Sequence, residues 1–167
     1  MKRWLWLSVL ILLLDQITKW LVLAALRPYE VLPLAPNINL TLMFNTGAAF
    51  SFLSDAGGWQ RWIFAGFALA VTLALVVWLL RLKPQEHWLA AALALIVGGA
   101  VGNLVDRLLL GPVVDFIQVY LPFLPFAIFN PWPAFNVADS AITVGVVLLL
   151  VESLRTHRQP TSAAGEE

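Results

Sequence analysis

Apolar residues fall into four long stretches, at about residues 4–26, 62–80, 88–107 and 134–152. Each is close to the roughly 20 residues that a helix needs to cross a hydrocarbon core. The second is the cleanest, running between Arg61 and Arg81 without a charge. The first is interrupted by Asp15, Gln16, Thr18 and Lys19, and the third ends on Asp106 and Arg107. The fourth carries Asn136 and Asp139 in its opening turn, then runs apolar to Val151. A hydropathy window would add a fifth helix over residues 108–135, where Asp115 is the only charge. Pro112, Pro122, Pro125, Pro131 and Pro133 exclude it, because each lacks the amide donor a helix interior needs. Irregular backbone cannot face lipid unpaired, so this segment is read as extended, interfacial and packed on protein, with a strand over 113–120. Residues 37–44 alternate loosely between polar and apolar, which predicts a short strand or hairpin half buried in the interface. The expected fold is membrane all-α: four transmembrane helices with a small strand element at one end.

Composition agrees. Of 167 residues, 60% are hydrophobic and 12% charged, with a mean hydropathy of +0.84, whereas soluble domains carry roughly 25% charged residues. Ten basic residues balance ten acidic ones, so no basic surface for nucleic acid is implied. Lys2, Arg3, Arg81, Lys83, Arg155 and Arg158 all fall at one end of the spans, which places that end and both termini in the cytoplasm. The long connections 27–60 and 108–133 then lie outside. Lys2 and Arg3 ahead of an apolar run resemble a secretory signal, but Asp15 and Lys19 break the run, so the segment is read as a retained span. Residues 1–155 are expected to form a single domain working as a monomer, and 156–167 a disordered cytoplasmic tail.

Polar residues inside apolar segments narrow the chemistry, because each is costly unless paired or functional. Asp115 lies in Val-Val-Asp-Phe-Ile, where a salt bridge to Arg107 is one reading. Asp139 lies at the outer start of the fourth helix, where it could cap, although Asn136 is the better cap candidate. If the strand bearing Asp115 folds over the head of that helix, two carboxyls meet near the membrane surface. Such a pair shares a proton and can activate water, as in aspartic proteases. Other hydrolytic chemistries fail on inventory. There is no cysteine and no His-Glu-x-x-His, and neither His87 nor His157 lies on the outer side. The Gly-x-Gly-Asp signature of presenilin-like proteases is also missing, and no metal or cofactor is expected.

Over essentially its whole length apart from the tail, the chain resembles the signal peptidase II family, the bacterial lipoprotein signal peptidases. Five motifs match in order: Asp-Gln-Ile-Thr-Lys at 15–19, Asn-Thr-Gly-Ala-Ala-Phe at 45–50, Gly-Gly-Ala-Val-Gly-Asn-Leu-Val-Asp-Arg at 98–107, Val-Val-Asp-Phe-Ile at 113–117 and Phe-Asn-Val-Ala-Asp-Ser at 135–140. The resemblance implies an inner-membrane aspartyl endopeptidase that removes the signal peptide from prolipoproteins, cutting just before a diacylglyceryl-modified cysteine on the periplasmic side. It implies Asp115 and Asp139 as the catalytic dyad. It carries Asp15, Lys19, Asn45, Gly47, Gly99, Asn103, Arg107, Asn136 and Ala138 as supporting positions. It also implies a periplasmic β-cradle, a short interfacial helix near 54–61, membrane lipids as neighbours and inhibition by globomycin-type cyclic peptides.

Spacing gives these residues work of their own. Asp15 and Lys19 are four apart on one helix face, near mid-bilayer, and are expected to order the bundle rather than touch substrate. Gly99, Asn103 and Arg107 recur at the same spacing, offering a close-approach glycine, an amide and a guanidinium along one face; interhelical bonding and support of the dyad's loops both fit. Asp106 is expected to make a local ion pair or cap. Asn45 is either a turn residue or a contact to the substrate backbone. A proton-coupled small membrane transporter is the alternative function. It would place ionisable residues along a path across the bilayer, whereas Asp115 and Asp139 gather at one surface.

Overall fold

The computed structural model describes residues 1–46, 59–123 and 130–157. A 3-10 turn, Lys2–Trp4, leads into α1 (Leu5–Ala25); β1 (Val31–Ala35) and β2 (Ile38–Asn45) follow. Then come α2 (Gln60–Arg81), α3 (His87–Leu109), β3 (Val113–Val119) and α4 (Val137–His157). Among the described residues, four helices are long and apolar enough to cross a membrane. The strands form one antiparallel sheet in the order β1-β2-β3.

The third helix is the hub. Half of its most apolar window is buried, against 17–22% for the other three, and it packs against α1, α2 and α4. Small residues make this possible: Ala90, Ala92, Ala94, Gly98, Gly99 and Gly102 are all buried on α3. Gly99 lets the backbone of α4 approach at Ala138 so closely that a methyl group would collide with its carbonyl oxygen. Gly102 makes room for a side chain: a methyl there would stand 2.6 Å from Asp15 Oδ2. The outward faces of α1, α2 and α4 are apolar and exposed, with Leu13, Ile17, Phe67, Leu73, Val147 and Leu150 among the residues left to lipid.

The sheet sits where α1 and α3 end. Val114 and Phe116 of β3 and Leu42 of β2 pack with Val22 of α1 in a small apolar core. From Trp132 onward the chain returns along β3, with Trp132 N–H donating to Val119 O and Phe135 N–H to Ile117 O. Within the described part of the proline-rich segment, β3 and residues 132–135 therefore run extended and paired on protein.

Several boundaries differ from the sequence reading. The fourth helix begins at Val137 rather than 134, because Phe135 is held as a bridge to Ile117 and Asn136 caps the helix. It continues to His157, so positions 156 and 157 are helical rather than tail. The tail residues 158–167 lie outside the described residues, as do 54–58 of the expected interfacial helix, while Gln60 and Arg61 open α2. Strand β1 was not anticipated. Its Val-Leu-Pro-Leu-Ala sequence holds a proline, which only an edge strand accepts.

These packing distances predict a contrast between two glycines. Gly102→Ala should lower thermal stability in detergent by about 1–3 kcal/mol through overpacking. Gly66→Ala, where a methyl meets nothing within 4 Å, should be neutral or gain up to about 1 kcal/mol. Equal melting temperatures for the two variants would contradict the seam.

Candidate active site

Lys19 lies inside the bundle, 1% exposed. Its ammonium is 2.8 Å from Asp15 Oδ2, 2.8 Å from Asp106 Oδ2 and 2.9 Å from Asn103 Oδ1. An ammonium has three protons and three acceptors surround it, which is the arrangement that makes a buried lysine tolerable. Both carboxylates are also tied elsewhere. Asp15 Oδ1 accepts the Ala138 N–H at 2.9 Å, so α1 caps the first turn of α4. Asp106 accepts the Val114 N–H at 3.0 Å and the Gln16 amide at 2.9 Å, so α3 holds both β3 and α1. Asp106 is thus not the local ion pair or cap expected from sequence: its cation is Lys19, on another helix. It faces Lys19 because it lies three residues beyond Asn103, on the same side of α3.

From Lys19 the polarity is handed on. Because the ammonium can only donate, the oxygen of Asn103 turns toward it and the Asn103 nitrogen donates to Asp139 Oδ1 at 2.8 Å. Asn136 is the N-cap of α4: its Oδ1 accepts the Asp139 N–H at 2.9 Å, while Asp139 Oδ2 accepts the Asn136 N–H at 3.2 Å. This reciprocal pair has the geometry of a capping box. The Asn136 amide nitrogen reaches Asp115 Oδ1 at 2.8 Å, and Asn45 on β2 donates to Asp115 Oδ2 at 3.1 Å. Every oxygen of the two carboxyls therefore has a donor.

Asp115 and Asp139 line one cavity of about 660 Å³ with Asn45, Asn103 and Arg107. Trp132 to Phe135 form one wall and Ile142 to Val144 of α4 another. Burial, and then the neighbouring Asp139 charge, push the Asp115 carboxyl up to about 7, against the lowering effect of the Asn45 and Asn136 donors and of Lys19. Arg107 donates to Asn103 O at 3.2 Å and lies near the Phe64 ring rather than forming an ion pair with Asp115. Gly99 and Ala138 meet at the α3–α4 contact, and Gly47 lies outside the described residues. Gln16, Ser140 and Thr143 were not singled out from sequence. Gln16 joins Asp106 and the Gly102 carbonyl, and the two hydroxyl residues line the cavity. The spacing Asp139, Ser140, Thr143 on one helix turn was the available signal.

The sequence profile of the Signal peptidase (SPase) II family matches residues 7–155. The chain belongs to the signal peptidase II family. The lipoprotein signal peptidase of Pseudomonas aeruginosa is 52% identical over 165 residues, covering 97% of this chain and 94% of that protein. That of Pseudomonas putida is 53% identical over 93% of this chain and 88% of its own length. A bacterial membrane enzyme solved by the in meso method at 2.3 Å superposes with a TM-score of 0.84 at 27% identity, covering 99% of this chain and 96% of that one. A second, solved at 1.9 Å, superposes at 0.77 with 29% identity, over 93% and 94% of the two chains. Signal peptidase II enzymes are aspartic proteases of lipoprotein processing, so family membership decides for a multi-pass inner-membrane peptidase over a transporter.

Lys19→Met should expose the cost of the buried charges. It leaves Asp15 and Asp106 without their cation, so stability in detergent should fall by about 3–5 kcal/mol. A melting temperature equal to that of the unaltered enzyme would remove Lys19 from its central place.

Proposed function

We propose that Asp115 and Asp139 are the catalytic dyad, cleaving diacylglyceryl-modified prolipoproteins just before the lipid-bearing cysteine by activating a water molecule. The observation that carries this reading is the meeting of two carboxyls, one from a strand and one from a helix N-terminus, on a single cavity. Asp139 is the base. It accepts from Asn103 and from the Asn136 backbone at the N-terminus of α4, which hold its oxygens toward the cavity. Asp115 is the acid, since a buried carboxyl beside a second negative charge keeps its proton near neutrality.

In the first step Asp139 takes a proton from water, the resulting hydroxide adds to the scissile carbonyl carbon, and Asp115 gives its proton to the carbonyl oxygen. In the second, the tetrahedral diol returns a proton to Asp115 as the C–N bond breaks, and Asp139 delivers its proton to the departing amine of the modified cysteine. Arg107 supports the substrate backbone at the cavity rim, Asn45 holds Asp115, and Gly47 belongs to the loop motif that begins at Asn45. Asp15, Lys19, Asn103, Asn136, Gly99 and Ala138 hold the frame. The acyl chains of the substrate lie in the bilayer and contribute about 0.8 kcal/mol per buried CH₂ to its positioning. Globomycin-type cyclic peptides occupy the same cavity as inhibitors.

The distribution of Lys and Arg supports a cytoplasmic location for both termini and the α2–α3 loop, and a periplasmic one for the sheet and dyad. A cysteine placed at Pro122 should react with an impermeant thiol reagent in cells with a permeabilised outer membrane, and one at Lys83 should not. The reverse labelling pattern would invert the topology.

Asp115→Asn and Asp139→Asn should each abolish cleavage of a diacylglyceryl-modified peptide, read by mass spectrometry, in folded protein, and EDTA should leave the rate unchanged. For the unaltered enzyme, kcat/KM should fall as pH rises through about 7, because deprotonation removes the acid. Substantial turnover by either Asn variant would exclude the dyad.

A further inference from the structure

The pairing of β2 with β3 breaks its register once. Leu40 faces Ile117 and Met43 faces Asp115, so Thr41 and Leu42 of β2 stand opposite the single residue Phe116. This is a β-bulge, one extra residue on one strand. Its position has a geometric consequence, because side chains alternate between the faces of a strand and directly opposed residues share a face. Before the bulge, Asn39 shares a face with Gln118 and their side chains bond at 3.3 Å. In an unbroken ladder Asn45, six residues further on, would lie on that same face. The extra residue reverses the parity, so Met43 and Asn45 share the face of Asp115 and Val113. Only then can the Asn45 amide reach Asp115 Oδ2 at 3.1 Å.

The bulge is also tied down from outside the strand pair. Thr41 is fully buried, and its hydroxyl donates to the Glu30 carbonyl at 2.8 Å. The Leu42 carbonyl accepts the Tyr29 N–H at 2.8 Å, while the Leu42 side chain fills the core under Val114 and Phe116. Tyr29 sits at φ 65, and the Glu30 carboxylate accepts the Arg27 N–H at 2.8 Å. The short turn after α1 therefore holds both bulged residues.

We infer that Thr41 is a positioning residue for the peptidase reaction: its hydroxyl locks the bulge that turns Asn45 onto Asp115. The inference rests on the dyad reading above. Thr41 lies outside the cavity and touches neither carboxyl, so it acts only through the strand it shapes.

Thr41→Val removes the hydroxyl at nearly constant volume and should lower kcat about tenfold with KM little changed. Thr41→Ser should restore the rate. Thr41→Ala, which adds no bulk, carries the test should the Val variant fail to fold. In an Asn45→Ala background the Thr41 penalty should vanish, since the group it orients is gone; positions coupled through a shared backbone shift are not additive. A penalty that persists undiminished in that background, or a Thr41→Val enzyme as fast as the parent, overturns the inference while leaving the dyad intact. Asp115→Asn, assayed alongside, separates the cases: turnover there would defeat the dyad and this inference together.

Discussion

A lysine ammonium enclosed in a helical bundle is the constraint around which this enzyme is arranged. Removing such an ion from water costs several kcal/mol after relaxation, and only close, saturated partners offset it. Lys19 has them in Asp15, Asp106 and Asn103, drawn from its own helix and from α3. Because both carboxylates are themselves tied on, to the Ala138 and Val114 amides, the charge cluster sets where α4 begins and where β3 lies. Those are the two elements that bear Asp139 and Asp115. The geometry of this carboxyl pair is in this sense downstream of a charge that does not line the cavity.

Amide side chains turn that constraint into direction. An asparagine has one accepting end and one donating end, so fixing either orients the other. Lys19 fixes the oxygen of Asn103, which aims its nitrogen at Asp139, and the cap fixes the oxygen of Asn136, which aims its nitrogen at Asp115. Reversing either amide would set an acceptor against a carboxylate and strand donors in a medium where unpaired polar groups are costly. The membrane strengthens the effect, since little water competes for these groups.

Local patterns in the sequence revealed much of this. Four spans followed from the length of apolar runs, the strand after α3 from the prolines around it, the Asp15–Lys19 pair and the Gly99–Asn103–Arg107 face from helical spacing, and the Asn136 cap from its position before an apolar run. What escaped depends on which faces of different helices meet. Asp106 reads as a neighbour of Arg107 in sequence, yet it points at Lys19, eighty-seven residues away, because α1 packs on the Gly98–Gly102 side of α3. The bulge was visible only as the looseness of the alternation over residues 37–44, where Met43 following Leu42 breaks a period of two. A register reversal leaves no composition signal, since either parity would bury the same number of apolar groups.

The two carboxyls come from unlike elements, and that difference gives them unlike surroundings. A helix N-terminus presents backbone N–H groups and a partial positive charge, whatever side chains surround it. A strand buried between β2 and the return segment 132–135 presents none of this excess, because its own N–H groups are spent on its strand neighbours and, at Val114, on Asp106. Asp115 must therefore be served by side chains, Asn136 from one side and Asn45 from the other. Among the described residues, Asn45 is the one side-chain donor to the pair that comes from the sheet. Its placement depends on strand register rather than on the charged bundle, so the site joins two independently specified parts, and the Asn45–Asp115 bond is where their agreement is tested.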